Sequence, residues 1–200
     1  MVALSQGEAM SVIATGEGWV FCDNHQFFLT PQLWWPREFV PEGPNRLVTG
    51  AGGSARISTG IATGGVAVVA ELHDSPPELA TGAWEDVGEA SVGVSRDALY
   101  VMSADASSRE AFPNLAALGA ETLRVRVHAI GRMVHYDGSR HRSEEKYLIQ
   151  VWPAALAEDT CLKLNAQMRA GLTAPTGPTP ALPPPPVLPP RSPRPQSYPG

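Results

Sequence analysis

From Thr122 to Ile130 the chain reads Thr-Leu-Arg-Val-Arg-Val-His-Ala-Ile, so Leu123, Val125, Val127 and Ala129 alternate with Arg124, Arg126 and His128. A period of two puts one set on each face of a strand, whereas a helix would spread both sets around its circumference. The pattern predicts a strand with a buried apolar face and a solvent-facing row of Arg124, Arg126 and His128. Residues 146–152 are β-branched and aromatic-rich and stop at Pro153, which predicts a second strand. The turn-forming Tyr136-Asp-Gly-Ser139 between them predicts a long hairpin, with Leu123, Val125, Val127, Tyr147, Ile149 and Val151 in one core.

Upstream, residues 11–14, 19–22, 26–29, 56–59, 66–72, 90–94 and 98–102 are short apolar or alternating segments, each bounded by Gly, Pro, Asn or Asp. Many short strands with turn chemistry between them predict an all-β fold, an antiparallel β-sandwich. Helical turns are expected only near 110–118, which contains Pro113, and near 156–163. After Thr173 the composition changes: 12 of the 20 prolines fall between Pro175 and Pro199. Such a segment buries too little surface to offset the entropy of ordering it, so an extended, solvated polyproline II tail is expected. The resulting division is a flexible N-terminus (1–10), one sandwich domain (11–170) and a disordered proline-rich tail (171–200), which leaves one core of ordinary domain size.

Charge and composition narrow the partners. Twenty acidic against 15 basic side chains give no global support for phosphate neutralisation, so no nucleic-acid partner is expected. The best apolar run, Gly65-Val-Ala-Val-Val-Ala70, falls far short of a bilayer span, and no Lys or Arg precedes Arg37 to form the basic region of a secretory signal. With only Cys22 and Cys161, a stapled secreted framework is not expected either; a cytoplasmic protein with no membrane partner is. Charge is also unevenly placed. Residues 57–95 hold six acidic side chains and no Lys or Arg, while 124–146 hold six basic ones. Either the two segments form complementary patches for a partner, or they neutralise each other across neighbouring strands.

Motifs for chemistry are sparse. Gly50-Ala-Gly-Gly-Ser-Ala-Arg56 lacks the Lys-Ser/Thr pair and following helix of a phosphate loop and reads as an inter-strand loop. Cys22 and His25 form a single close pair where a zinc site uses two, so no metal is expected. No nucleophile elbow or metalloprotease helix motif is present, and neither catalytic residue nor cofactor is assigned. Trp84-Glu-Asp-Val-Gly-Glu89 places three carboxylates beside an aromatic, the one arrangement that offers an acid/base pair. In the tail, Pro186, Pro189 and Arg191 form the P-x-x-P-x-Arg pattern that aromatic-lined grooves recognise.

Four blocks, Gly18-Trp-Val-Phe-Cys-Asp-Asn-His-Gln-Phe-Phe-Leu29, Trp84-Glu-Asp-Val-Gly-Glu-Ala-Ser91, Leu123-Arg-Val-Arg-Val-His-Ala-Ile-Gly-Arg132 and Glu145-Lys-Tyr-Leu-Ile-Gln-Val-Trp-Pro153, carry a resemblance. Together they look like a family of uncharacterised small β-sandwich proteins of high-GC Gram-positive bacteria. The opening pair of strands is also distantly similar to the competence protein J group, β-sandwich inhibitors of a DNA-entry nuclease. The resemblance implies a binding protein without catalytic residues and gives no site to carry over. The expected function is therefore a non-catalytic protein-binding module acting as an inhibitor, immunity-like or regulatory partner. Its electrostatic face is expected at Arg124, Arg126, His128 and Arg132. The alternative is a small-molecule-binding or hydrolytic sandwich with an acidic pocket around Trp84, Glu85 and Asp86.

Overall fold

The computed structural model describes residues 12–31, 46–94, 97–103 and 111–173. Its strands are β1 (Val12–Cys22), β2 (Gln26–Thr30), β3 (Val48–Ala51), β4 (Ser54–Ser58), β5 (Thr63–His73), β6 (Asp86–Gly93), β7 (Tyr100–Met102), β8 (Thr122–Ile130), β9 (Ser139–Pro153) and β10 (Thr160–Lys163), followed by helix α1 (Ala166–Thr173). A larger sheet has the order β1-β5-β9-β8-β6-β10 and a smaller one the order β3-β4-β2-β7. The expected hairpin is present, with Leu123 opposite Pro153 and Ile130 opposite Lys146. Pairing is antiparallel except between β5 and β9, which run parallel. The long path through β6, β7 and β8 supplies the crossover that a parallel pair requires, so a uniformly antiparallel arrangement is corrected at that one seam.

Segments 11–14 and 19–22, which read as two strands, are one. The glycines between them do not end β1; they let another segment come close. A Cβ at Gly16 would lie 2.4 Å from the Ala111 carbonyl oxygen. At the end of β1, Asn24 and His25 both adopt positive φ (50° and 59°), and Asp23 and Gln26 exchange backbone hydrogen bonds of 3.1 and 3.2 Å. This is the two-residue turn with both central residues left-handed. It passes the chain from the larger sheet to the smaller.

The alternation in β8 and β9 is realised on the inner side. Leu123, Val125, Val127, Tyr147, Ile149 and Val151 belong to one buried cluster with Val66, Val68 and Ala70 of β5 and with Phe27, Leu29, Ala55 and Ile57 of the smaller sheet. At one end of that cluster the buried Glu145 accepts hydrogen bonds from the backbone N–H groups of Gly60 (3.0 Å) and Ile61 (2.6 Å) and from the Tyr147 hydroxyl (2.5 Å). A carboxylate in the interior is tolerable only with donors of this kind around it.

Two elements were misplaced by the sequence. Residues 160–163, expected in a helical turn, pair with β6, and the helix begins at Ala166. Its start has a recognisable cap: Asn165 Oδ1 accepts a hydrogen bond from Gln167 N at 2.8 Å. The Gly50–Arg56 run is the β3–β4 hairpin with Gly52 in the left-handed region (φ 55°). No described helix is long and apolar enough to cross a membrane. The N-terminal residues 1–10 and the tail motif Pro186, Pro189 and Arg191 lie outside the described residues.

Val125 is fully buried in the shared cluster. Val125→Asp is expected to abolish the cooperative thermal transition, because an unpaired buried carboxylate costs several kcal/mol against a total stability of about 5–15 kcal/mol. Circular dichroism melting checks it, and a mutant midpoint equal to that of the parent would refute the core assignment.

Candidate functional site

The candidate site lies on the outer face of the larger sheet. Alternation does turn Arg124, Arg126 and His128 away from the core, but not into solvent: they are 6%, 6% and 1% exposed. The expected open electrostatic face at these residues and Arg132 is corrected. Residues 74–85 and 154–159 fold over that half of the sheet, and the arginines are the groups they fold onto. Arg126 donates to Glu89 Oε1 (2.7 Å) and to the Pro77 carbonyl (2.9 Å), and its guanidinium lies 4.9 Å from the centre of the Trp152 ring. Arg124 donates to Glu89 Oε2 (3.1 Å), the Ser91 hydroxyl (2.9 Å) and the Glu158 carbonyl (3.0 Å).

Arg132 is buried too, donating to Asp86 Oδ2 at 3.1 Å and to the Arg46 carbonyl at 2.7 Å. The acidic and basic segments therefore neutralise each other across β6 and β8, whose register sets Glu89 opposite Arg126 and Ser91 opposite Arg124. His128 lies under Trp84, with ring centroids 5.4 Å apart. Burial, reinforced by the charge of Arg126, pushes its pKa down from 6.5 to about 4, so the ring is neutral at pH 7.

The covering segment stops short of the other half of the sheet. Register places Glu17, Val69, Leu148 and His128 in one row across β1, β5, β9 and β8, and Trp19, Ala67 and Lys146 in the next. Above β1, β5 and β9 these rows floor a groove of about 500 Å³. Ala67, Val69 and Leu148 form the apolar base, Trp19 stands on the edge strand and Trp84 closes the opposite side from the covering segment. Each indole is held by its surroundings. The Lys163 ammonium donates to the carbonyls of Thr81 (2.9 Å) and Trp84 (2.5 Å), tying the covering segment to β10. Arg142 lies 4.7 Å from the centre of the Trp19 ring. Trp19 remains 41% exposed and Phe21, two residues on, 37%. Glu17 supplies the lone carboxylate and Lys146 the lone ammonium among the lining residues.

The acidic pocket expected at Trp84, Glu85 and Asp86 does not form. Trp84 lines the groove, but Glu85 Oε2 accepts the Gly131 N–H at 3.1 Å, and Asp86 is fully buried, accepting from Arg132 and from Asn165 N at 2.7 Å. Trp84 and Glu85 belong to the covering segment and Asp86 begins β6, and the separate partners of the two carboxylates hold them apart from the indole. Cys22 faces the core, where burial raises its thiol pKa from 9.0 to about 11, while His25 Nε2 pairs with Asp137 at 3.0 Å. The structure does not gather that pair into a ligand set. Sequence reasoning missed Trp19, Ala67, Val69, Leu148 and Lys146. The usable signal was Glu17-Gly-Trp-Val-Phe-Cys22, where Trp19 and Phe21 occupy the face opposite the buried Val20 and Cys22.

No family model matches the sequence, and no curated protein matches it. Among solved structures, the chain is similar to "Crocagin biosynthetic gene J" with a TM-score of 0.42 and 11% identity, over 74% of this chain and 99% of that chain.

Two outcomes follow from the buried outer face. Arg126→Glu is expected to unfold the domain, since it sets a second carboxylate against Glu89 in a site that excludes water; breaking such a pair costs about 3–5 kcal/mol. Unchanged urea unfolding of the variant would contradict the geometry. His128 gives a pH signature. Its folded pKa lies below the 6.5 of the unfolded chain, so as pH falls the unfolded chain takes up the proton first. Stability is expected to drop by about 3 kcal/mol between pH 6.5 and about 4 and to change no further on this account below that. Denaturant titrations of parent and His128→Leu check it, the difference in pH dependence between the two being the readout.

Proposed function

We propose that the chain is a non-catalytic protein-binding module, its two sheets facing each other as a β-sandwich, that captures an extended segment of a protein partner in the Trp19–Trp84 groove. The groove itself carries this reading: an apolar floor between two indole walls, with one carboxylate and one ammonium among the lining residues. Binding sites have this composition, a mostly apolar lining with a few polar groups that fix orientation. Hydrolysis by a paired acid and base needs two such groups at one bond, and here Glu17 is the single carboxylate, with Glu85 and Asp86 committed elsewhere.

An extended ligand suits the position. Among the described residues β1 pairs with β5 alone, so the groove opens beside a strand edge, where a chain can run past without crossing a rim. The resemblance to sandwich proteins that act by binding agrees with this reading, as does the cytoplasmic setting expected from the sparse cysteines.

Panning a displayed library of 12-residue peptides against the full chain tests the proposal. Enriched peptides are expected to lose at least about tenfold in affinity on Trp84→Ala and on Trp19→Ala, the size of effect typical of an aromatic anchor. Trp19 is the more exposed of the two and guards against a folding artefact. Peptides indifferent to both substitutions would place binding elsewhere and overturn the proposal.

A further inference from the structure

Resting on that reading, we infer that the groove takes a polyproline II segment ending in arginine, and that residues 183–191 of the same chain, Pro-Pro-Pro-Pro-Val-Leu-Pro-Pro-Arg, are its resident occupant. Three observations converge on this. First, the groove lies on the face of the sheet, not along its edge, and its walls are indoles set across an apolar floor. Flat aromatic walls grip the ridges of a polyproline II helix, which presents rings every third residue and enters already ordered, so little entropy is lost on binding. A strand added at the edge would instead gain its affinity from backbone pairing and leave the indoles peripheral.

Second, charge matches. Arg191 and Arg194 are the only charged side chains after Thr173, whereas the whole chain carries a net charge of −5, so the folded part is the acidic partner. Within the groove Glu17 is the one carboxylate available to an arginine, because the carboxylates of Glu89 and Asp86 are already engaged by buried arginines. Pro186, Pro189 and Arg191 have the spacing in which two prolines pack against aromatic walls and the arginine reaches an acidic group at the end. Lys146 shares a row with Trp19, and Arg142 lies over the Trp19 ring, so an arginine meets repulsion at that end of the groove and Arg191 lies in the neighbouring row, at Glu17.

Third, the tail is long enough. The helix that precedes it follows β10, at the edge of the larger sheet opposite β1. Crossing from β10 to β1 spans five strand spacings, about 24 Å. Ten residue steps lead from Thr173 to Pro183, and at the polyproline II rise they would cover about 31 Å. A short tether also raises the effective concentration of the segment to the millimolar range, enough to hold a contact that would be weak between separate molecules. A protein partner then binds by presenting a better proline-rich segment and displacing the tail, which makes the module self-occluded until a competitor arrives.

The test uses the full chain with its five tryptophans replaced by 5-fluorotryptophan, and ¹⁹F NMR signals assigned by single Trp→Phe variants. Replacing Pro183 to Pro186, Pro189 and Pro190 by Ser leaves the folded core untouched. The Trp19 and Trp84 signals are expected to move in that variant while Trp152 stays in place. A synthetic peptide of residues 180–195 added to the variant is expected to return both signals toward their parent positions, and an Arg191→Glu peptide to bind about two- to fivefold more weakly. Glu17→Arg is expected to reverse that preference.

Identical Trp19 and Trp84 signals in parent and proline-less chains would overturn the inference. So would a shift in the parent that grows with protein concentration, which would assign the contact to a second copy. In either case, library peptides that still perturb both signals leave the binding-module reading standing. If neither the tail peptide nor library peptides perturb either tryptophan, both readings fall.

Discussion

One carboxylate, Glu89, organises the outer face of the larger sheet. It stands on β6 and receives a charge-assisted hydrogen bond from each of two guanidinium groups on β8, both largely withdrawn from water. Arginine can serve this role because its planar fork spends one N–H on the carboxylate and keeps others for carbonyls nearby. Those carbonyls, Pro77 on one side and Ala157 and Glu158 on the other, belong to the segments that cover the face. Without the arginines the Pro77, Ala157 and Glu158 carbonyls would lose their side-chain donors; without the segments the arginines would return to solvent. The covering layer, the buried charge and the place where the cover ends are one arrangement.

The position of Trp84 depends on that arrangement. The covering segment leaves β5 at His73, runs over Arg126 and rejoins the sheet as β6 at Asp86. Its last residues are fixed three ways: Lys163 holds the Thr81 and Trp84 carbonyls, Glu85 N donates to the Ala129 carbonyl at 3.0 Å, and Asp86 is locked against Arg132. An indole on so constrained a backbone offers a rigid wall. Rigid aromatic anchors lose little freedom on binding, which is where much of their contribution to affinity originates. The opposite wall is less confined, since Trp19 sits on an edge strand, steadied by a cation–π contact with Arg142 worth about 0.5–1 kcal/mol at an exposed site.

Periodicity in the sequence identifies strands well and faces only halfway. In β8 it separates Val125, on the buried inner face, from Arg126, and that separation holds in the structure. It does not state that the second face is covered, because cover comes from residues 74–85, distant in sequence and without a period of their own. The usual inference that an alternating arginine is a solvated arginine fails here for that reason. The same limit explains β1. Glycine punctuation suggested two strands, yet Gly16 is there for the approach of Ala111, a contact no local pattern reveals. For the groove, sequence supplied Trp84 but attached it to Glu85 and Asp86 by adjacency, while its real neighbours come from β1, β5 and β9.

A sheet whose outer face is covered over β8 and β6 and open above β1, β5 and part of β9 needs a boundary, and the groove lies at it. On the covered side, side chains that look polar in the sequence are committed: Glu89, Arg124, Arg126 and Asp86 each have partners within the fold. On the open side, beside Lys146, the outward residues of β5 and β9 in the groove are Ala67, Val69 and Leu148, apolar groups where a fully solvated face usually carries polar side chains. Leaving them half covered between two indoles is unfavourable for an isolated monomer, because apolar surface removed from water is worth about 25 cal/mol per Å². An occupant recovers that free energy. On the proposed reading, this half-covered apolar floor lies beside an indole, Trp84, whose backbone is fixed by Lys163 and by the locked Asp86, so an occupant would meet one rigid wall on entering.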